Sequence, residues 1–303
     1  MRVFVTGATG FIGSAVVREL FAAGHRVVGL ARSDRAAASL EAAGAEVHRG
    51  ALDDLDSLRA GAAGSDGVIH TAFIHDFSDF PGAARTDRRA VEAMGEALAG
   101  SGRPLVISSG TGGLVPGRLG TEEDAGNPDS PAAVRIPSEV AALALADRGV
   151  RSSVLRLPPS VHGEGDHGFV PALIGIARTT GVSAYPGDGT NRWPAVHRLD
   201  AARLFRLALE QAPAGCRLHG VGEEGVPVRD IATVIGRHLG LPVTSVPRDA
   251  VQDHFGWLGG IFALDVPASS ALTRQRLGWQ PVQPALIPDL DQGHYFEPAL
   301  TEH

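Results

Sequence analysis

The stretch TGATGFIG, residues 6–13, spaces Gly7, Gly10 and Gly13 three apart, directly after the apolar run RVFVT and ahead of FIGSAVVREL. Glycines at a strand-to-helix junction let the backbone turn tightly and approach a pyrophosphate, and the free N–H groups of the helix N-terminus favour an anion. Gly7, Thr9, Gly10, Phe11, Ile12 and Gly13 are therefore candidate cofactor-binding residues, against the plainer alternative of a tight strand–helix turn. At the end of the next apolar run, RVVGLA, an NAD-preferring protein offers a carboxylate to the ribose 2′-hydroxyl. Here Ala31 is followed by Arg32 and Ser33. A guanidinium grips a 2′-phosphate in two-pronged fashion and stacks on adenine, so the expected cofactor is NADP, although Asp34 lies just beyond. Proton-exchanging groups are sought among His75 and Asp76 in FIHDF, His162 and His167 in VHGEGDHG, and Tyr185 in AYPGDG. Histidine titrates in the useful range. HGEGDH has neither the helical register nor the carboxylate set of a metal site, and no metal is expected.

These residues need a frame to hold them, and the first half of the chain supplies one by alternation. RVFVT, RVVGLA, AEVHR, DGVIHTA, PLVISS and RSSVLRLP are short β-branched runs. Alanine-rich amphipathic segments separate them, including one to about Ala43 and others near Thr86–Ala99 and Pro131–Ala146. That pattern is the mark of a parallel sheet with helices on both faces, a doubly wound α/β Rossmann-type fold with about six strands by residue 157. Beyond it the pattern loosens into Pro/Gly-rich loops with helices near Phe169–Arg178 and Asp200–Gln211, then GVPVRDIATVIGRHLG and PASSALTRQRLGW. The expected division is a nucleotide-binding domain over 1–157, continued near 194–220, and a smaller interwoven substrate lobe within 158–303. A cleft should lie between them.

Composition removes several classes. The 303 residues can bury a sizeable core, and the net charge of −7 with no basic stripe argues against nucleic acid or an anionic membrane surface. No apolar run reaches membrane length and no leader pattern opens the chain, which leads to a cytoplasmic expectation. The single cysteine, Cys216, fits a reducing compartment and reads as a small apolar residue. All 27 basic residues are arginine. Nothing in this protein uses a lysine.

TGATGFIG, GALDDLDSL, DGVIHTA, LVISSGT, VLRLPPSVHGEGD, VHRLDAARL and LGWQP, in that order, resemble the extended and atypical short-chain dehydrogenase/reductases, the NAD-dependent epimerase/dehydratase family. The resemblance implies that Leu52 and Asp53 lie near adenine, that Ala72 and Phe73 flank the cofactor, and that Pro158 follows the sixth strand near the nicotinamide. It marks VHRLD as mostly architectural, with His197 a core histidine. Members carry a catalytic serine or threonine, a tyrosine, a lysine four residues later and an asparagine. Anchoring SPAAVRIPSE on Glu139 and Arg156 puts Pro131 at the tyrosine position and Arg135 at the lysine position, with Ser109 (Thr111 as helper) and Asp87 at the serine and asparagine positions. Tyr185 and Tyr295, the only tyrosines, have Gly189 and Ala299 four residues on, so no offset motif hides elsewhere. Arg135 can hold ribose hydroxyls but cannot shuttle protons. His162, at a common family tyrosine position, is the first choice for the missing acid.

The expectation is an NADP-dependent oxidoreductase acting on a small carbonyl or alcohol, a monomer or homodimer, with a non-standard proton relay built from Ser109, Asp87, Arg135, His162 and Tyr185. Hydride transfer is cofactor chemistry, and an absent general acid costs about two to four powers of ten. Two alternatives stand: a non-catalytic NADP-binding sensor or scaffold, and a nucleotide-sugar epimerase or dehydratase.

Overall fold

A computed structural model describes residues 1–75, 79–130 and 133–297. Pro131 and Asp76 lie outside them. The elements run β1 (Arg2–Thr6), α1 (Phe11–Ala22), β2 (Arg26–Ala31), α2 (Asp34–Ala42), β3 (Glu46–Arg49), α3 (Leu55–Ala63), β4 (Gly67–His70), α4 (Phe80–Leu98), β5 (Pro104–Gly110), α5 (Ile136–Ala144) and β6 (Arg151–Leu157). There follow β7 (Ser160–His162), α6 (Phe169–Thr180), β8 (Ser183–Pro186), β9 (Arg192–His197), α7 (Arg198–Gln211), β10 (Cys216–His219), β11 (Glu223–Pro227) and α8 (Val228–Leu239). The chain closes with β12 (Val243–Val246), α9 (Val251–Phe255), α10 (Gly259–Phe262), α11 (Ala271–Leu277) and α12 (Leu286–Asp291).

Seven parallel strands form the central sheet in the order β10-β6-β5-β4-β1-β2-β3, so the winding direction reverses between β1 and β4. In sheets of this kind ligands bind outside the carboxyl ends of the strands at that reversal, which is where TGATGFIG and HTAF, residues 70–73, emerge. The doubly wound reading of the sequence holds, with β10 contributing a seventh strand from beyond the first half. One sheet face buries Val3, Val5, Val16 and Leu20 against Leu204, Phe205 and Leu209 of α7. The other buries Phe4, Val68 and Ile107 against Val91 and Met94 of α4. A separate core around Val170, Trp193, Ile231 and Phe262 supports the second lobe, whose sheets are β11-β9-β7 and β12-β8.

Local chemistry sets the boundaries. The Ser33, Asp54 and Asp79 side chains accept from backbone N–H groups three residues on and cap α2, α3 and α4. With Pro81 in its first turn, α4 begins at Phe80, six residues earlier than its apolar pattern suggests. The VHRLD segment is a joint: the His197 ring caps α7 through Leu199 N, and the Asp200 carboxylate accepts from Val282 N and Gln283 N. The C-terminal segment is tied to β10, where His219 Nδ1 donates to Ser269 O (2.8 Å) and His219 N donates to Thr273 Oγ1 (2.8 Å).

Burial pushes the His219 imidazole down to about 4, against the opposing charge of Glu122. The unfolded chain protonates this histidine near its ordinary value, about 6.5. Unfolded molecules therefore bind the proton first, and stability falls as pH drops from about 6.5 towards 4, by about 3 kcal/mol in full. Urea unfolding of His219→Gln should show a flatter acid limb than wild type; an unchanged slope would assign the acid sensitivity elsewhere.

Candidate active site

At the end of β1 the backbone enters a left-handed turn at Gly7, φ +68°, and doubles back into α1. A Cβ at Gly13 would sit 2.0 Å from Gly7 O, so no side chain fits where α1 crosses its own loop. Gly10 opens α1 with no side-chain cap, and the first turn carries no acidic residue, unlike α2, α3 and α7. The N–H groups of this helix start are left without a side-chain acceptor, which suits a phosphate or diphosphate.

Beside this loop, at the ends of β4 and β5, lies a buried polar chain. Thr6 Oγ1 is 2.6 Å from His70 Nδ1, and His70 Nε2 donates to Asp87 Oδ1 at 3.1 Å. Asp87 Oδ2 faces Arg135 Nε at 3.7 Å, an ion pair in which neither atom has a hydrogen-bond partner among the described residues. Burial works to raise the Asp87 pKa, yet Arg135 and His70 outweigh it and hold the carboxyl below its ordinary value. Burial likewise pulls Arg135 down while Asp87 and Glu139 resist. Arg135 is fixed by an Nη2 bond to Ser108 O (2.7 Å), and its guanidinium lies 3.9 Å above the Phe73 ring.

A second ion pair sits in the same layer. Arg156 of β6 grips Glu139 of α5 through Nε (3.1 Å) and Nη2 (2.6 Å), and Ser109 Oγ donates to Glu139 Oε1 at 2.6 Å. Ser109 is thus turned towards the Glu139–Arg156 pair. Thr111, fully buried, has an Oγ1 without a partner among the described residues.

The family model described as "NAD dependent epimerase/dehydratase family" matches residues 3–217. The chain belongs to the NAD dependent epimerase/dehydratase family. A protein of Schizosaccharomyces pombe described only as uncharacterized is 53% identical over 298 residues, 98% of this chain and 100% of its own. A 4-hydroxy-2-methyl-3-oxo-4-farnesyl-3,4-dihydroquinoline-1-oxide ketoreductase of Stigmatella aurantiaca is 31% identical over 71% of this chain and 66% of its own. The fold is shared with the dTDP-glucose 4,6-dehydratase of Streptomyces venezuelae solved with NAD and TYD bound, at a TM-score of 0.78 and 23% identity over 97% of this chain and 96% of that one.

Within this epimerase/dehydratase fold the residues singled out from sequence do not all converge. Asp87, Arg135 and Phe73 are in mutual contact around one pair, with Ala72 N 3.4 Å from Thr6 Oγ1. Arg32 is exposed at the end of β2, Ser33 Oγ accepts from Ala36 N, and Asp34 is engaged by Arg49 at 2.7 Å. Leu52 is half-buried and Asp53 exposed beyond β3, and Pro158 is buried after β6. His162 and Tyr185 go elsewhere. The His162 ring is fully buried, with Nδ1 donating to Asp289 Oδ2 of α12 (2.8 Å) and its face against His197. A sealed imidazole cannot exchange a proton with a molecule in the cleft, so His162 is corrected from proton donor to a tie between β7 and α12. Tyr185 is half-buried against the core around Trp193, with its ring where a Cβ on Gly189 would fall. His75 remains exposed, its ring 5.3 Å from that of Phe73. His70 and Thr6 were not singled out; a histidine at a fully buried strand position, in GVIH, was the available signal.

Removing Asp87 strands Arg135 in a largely dry layer. Asp87→Ala should lower the unfolding free energy by about 3 kcal/mol, the lower end for a broken buried pair because the Arg135 side chain keeps 17% exposure. Asp87→Asn keeps an acceptor for His70 and should lose less. Equal losses in urea titration would show that charge at Asp87 is immaterial.

Proposed function

We propose that the protein is an NADP-dependent oxidoreductase that moves a hydride between the dinucleotide and a small carbonyl or alcohol substrate. The observation that carries the cofactor reading is Arg32. It has no ion pair or hydrogen bond among the described residues, while the neighbouring carboxylate, Asp34, is occupied by Arg49. The end of β2 thus presents a free guanidinium, with its nearest carboxylate already paired, to the adenosine ribose. The uncapped start of α1 takes the diphosphate. The likeness to a ketoreductase supports carbonyl reduction.

The nicotinamide, when bound, supplies the hydride chemistry. Arg135 holds the nicotinamide ribose as a fixed cation, its orientation set by Ser108 O and the Phe73 face and its charge balanced by Asp87. Proton exchange falls to His75, which stands beside Phe73 in the field of Arg135. Desolvation, then the charges of Arg135 and His167, push its pKa below the ordinary histidine value. A neutral imidazole predominates at pH 7, able to accept a proton from an alcohol and to donate only in acid.

Three measurements test this reading. Steady NADPH consumption with a panel of ketones and aldehydes is expected; NADPH binding without turnover on any of them would favour a non-catalytic role. Arg32→Ala should weaken NADPH binding by roughly 10- to 150-fold and barely touch NADH; equal effects on both would remove Arg32 from the phosphate site. Carbonyl reduction should rise as pH falls below about 6.5, and His75→Phe should abolish that limb and lower kcat by roughly 10²- to 10⁴-fold with NADPH affinity retained. An unchanged pH profile in His75→Phe would exclude it.

A further inference from the structure

Arg198 opens α7, the helix that packs along α1, and its guanidinium lies 4.9 Å above the ring of Phe11. Phe11 is the first residue of α1, so this guanidinium stands within a side chain's length of the uncapped N–H groups. Arg198 is half-buried and has no hydrogen bond or ion pair among the described residues. Arg18, on the same face of α1 two turns on, likewise has none. The two cations are close enough that Arg18, together with burial, disfavours the charged form of Arg198. Glu164 and Asp166 favour the charged form of Arg198 without bonding to it: Glu164 is exposed, and Asp166 Oδ1 accepts from Gly168 N (2.7 Å) and Oδ2 from Tyr295 Oη (3.0 Å).

The loop HGEGDHG explains how the side chain is held there. Gly163 and Gly165 run alongside the arginine: a Cβ on Gly163 would fall 3.4 Å from Arg198 Cγ, and one on Gly165 3.7 Å from its Nη1. Both have positive φ, +130° and +80°. The loop is pinned from the C-terminal segment, where Tyr295 Oη accepts from Gly163 N (3.0 Å), and His167 closes the other side of Phe11, ring to ring at 5.8 Å. The HGEGDHG loop and the start of α7 therefore both meet the glycine loop at the Phe11 ring.

We propose that Arg198 is a diphosphate-binding residue, reaching from the start of α7 to the bridging phosphates of the dinucleotide at the start of α1. The proposal rests on the dinucleotide reading above. A half-buried guanidinium with unused donors, stacked on the first residue of an open helix start and beside a second unpaired cation, is matched by a dianionic group.

The test is calorimetric titration of the full chain with NADP⁺ and, separately, with adenosine 2′-monophosphate, which has the ribose phosphate but no diphosphate. Arg198→Ala should weaken NADP⁺ by roughly 10- to 100-fold and leave the monophosphate unchanged, with Arg198→Lys recovering part of the loss. Wild-type NADP⁺ affinity in Arg198→Ala would overturn the proposal while the dinucleotide reading stands. Equal losses for both ligands would also overturn it, making Arg198 a shaper of the loop. If wild-type protein binds neither NADP⁺ nor NAD⁺, the dinucleotide reading itself fails and this assignment with it.

Discussion

Two arginines are buried at the carboxyl edge of the central sheet, and each is tolerable there only because a helix buries a carboxylate beside it. An unpaired charge in that layer would cost several kcal/mol. Arg156 on β6 therefore fixes Glu139 and the position of α5, and Arg135 fixes Asp87 and the position of α4. Since Arg135 also binds β5 through Ser108 O and rests on Phe73 after β4, the pairs set the spacing of two helices and three strand ends at once. The geometry of the candidate site is a by-product of satisfying these charges.

The same constraint favours a guanidinium over an ammonium at position 135. A lysine at position 135 would present one mobile point charge; a guanidinium offers a rigid fork that can serve Ser108, Asp87 and a ligand together. Asp87 supplies the negative charge that this fixed cation requires.

The second lobe uses histidines as structural ties more than as reagents. His162 joins Asp289, which also receives His294 Nε2 at 3.2 Å, and His238 pairs with Asp291, so α12 is fastened through both of its carboxylates. The His162 contact and the Tyr295 hydroxyl on Gly163 N tie the loop beside Phe11 to the C-terminal segment.

The sequence by itself determined the doubly wound sheet, because period-two apolar runs and amphipathic helices are local properties, and it located the glycine loop because only glycine fits the crossing at Gly7 and Gly13. Tertiary structure decided which polar side chains meet the cleft. His162 was ranked first by its place in the chain, and the fold buried it under α12, because 127 residues separate it from the carboxylate that captures it. Thr6 and Arg198 were silent in the sequence for the same reason: a side chain's role depends on partners brought from distant segments, and one-dimensional spacing carries no record of them.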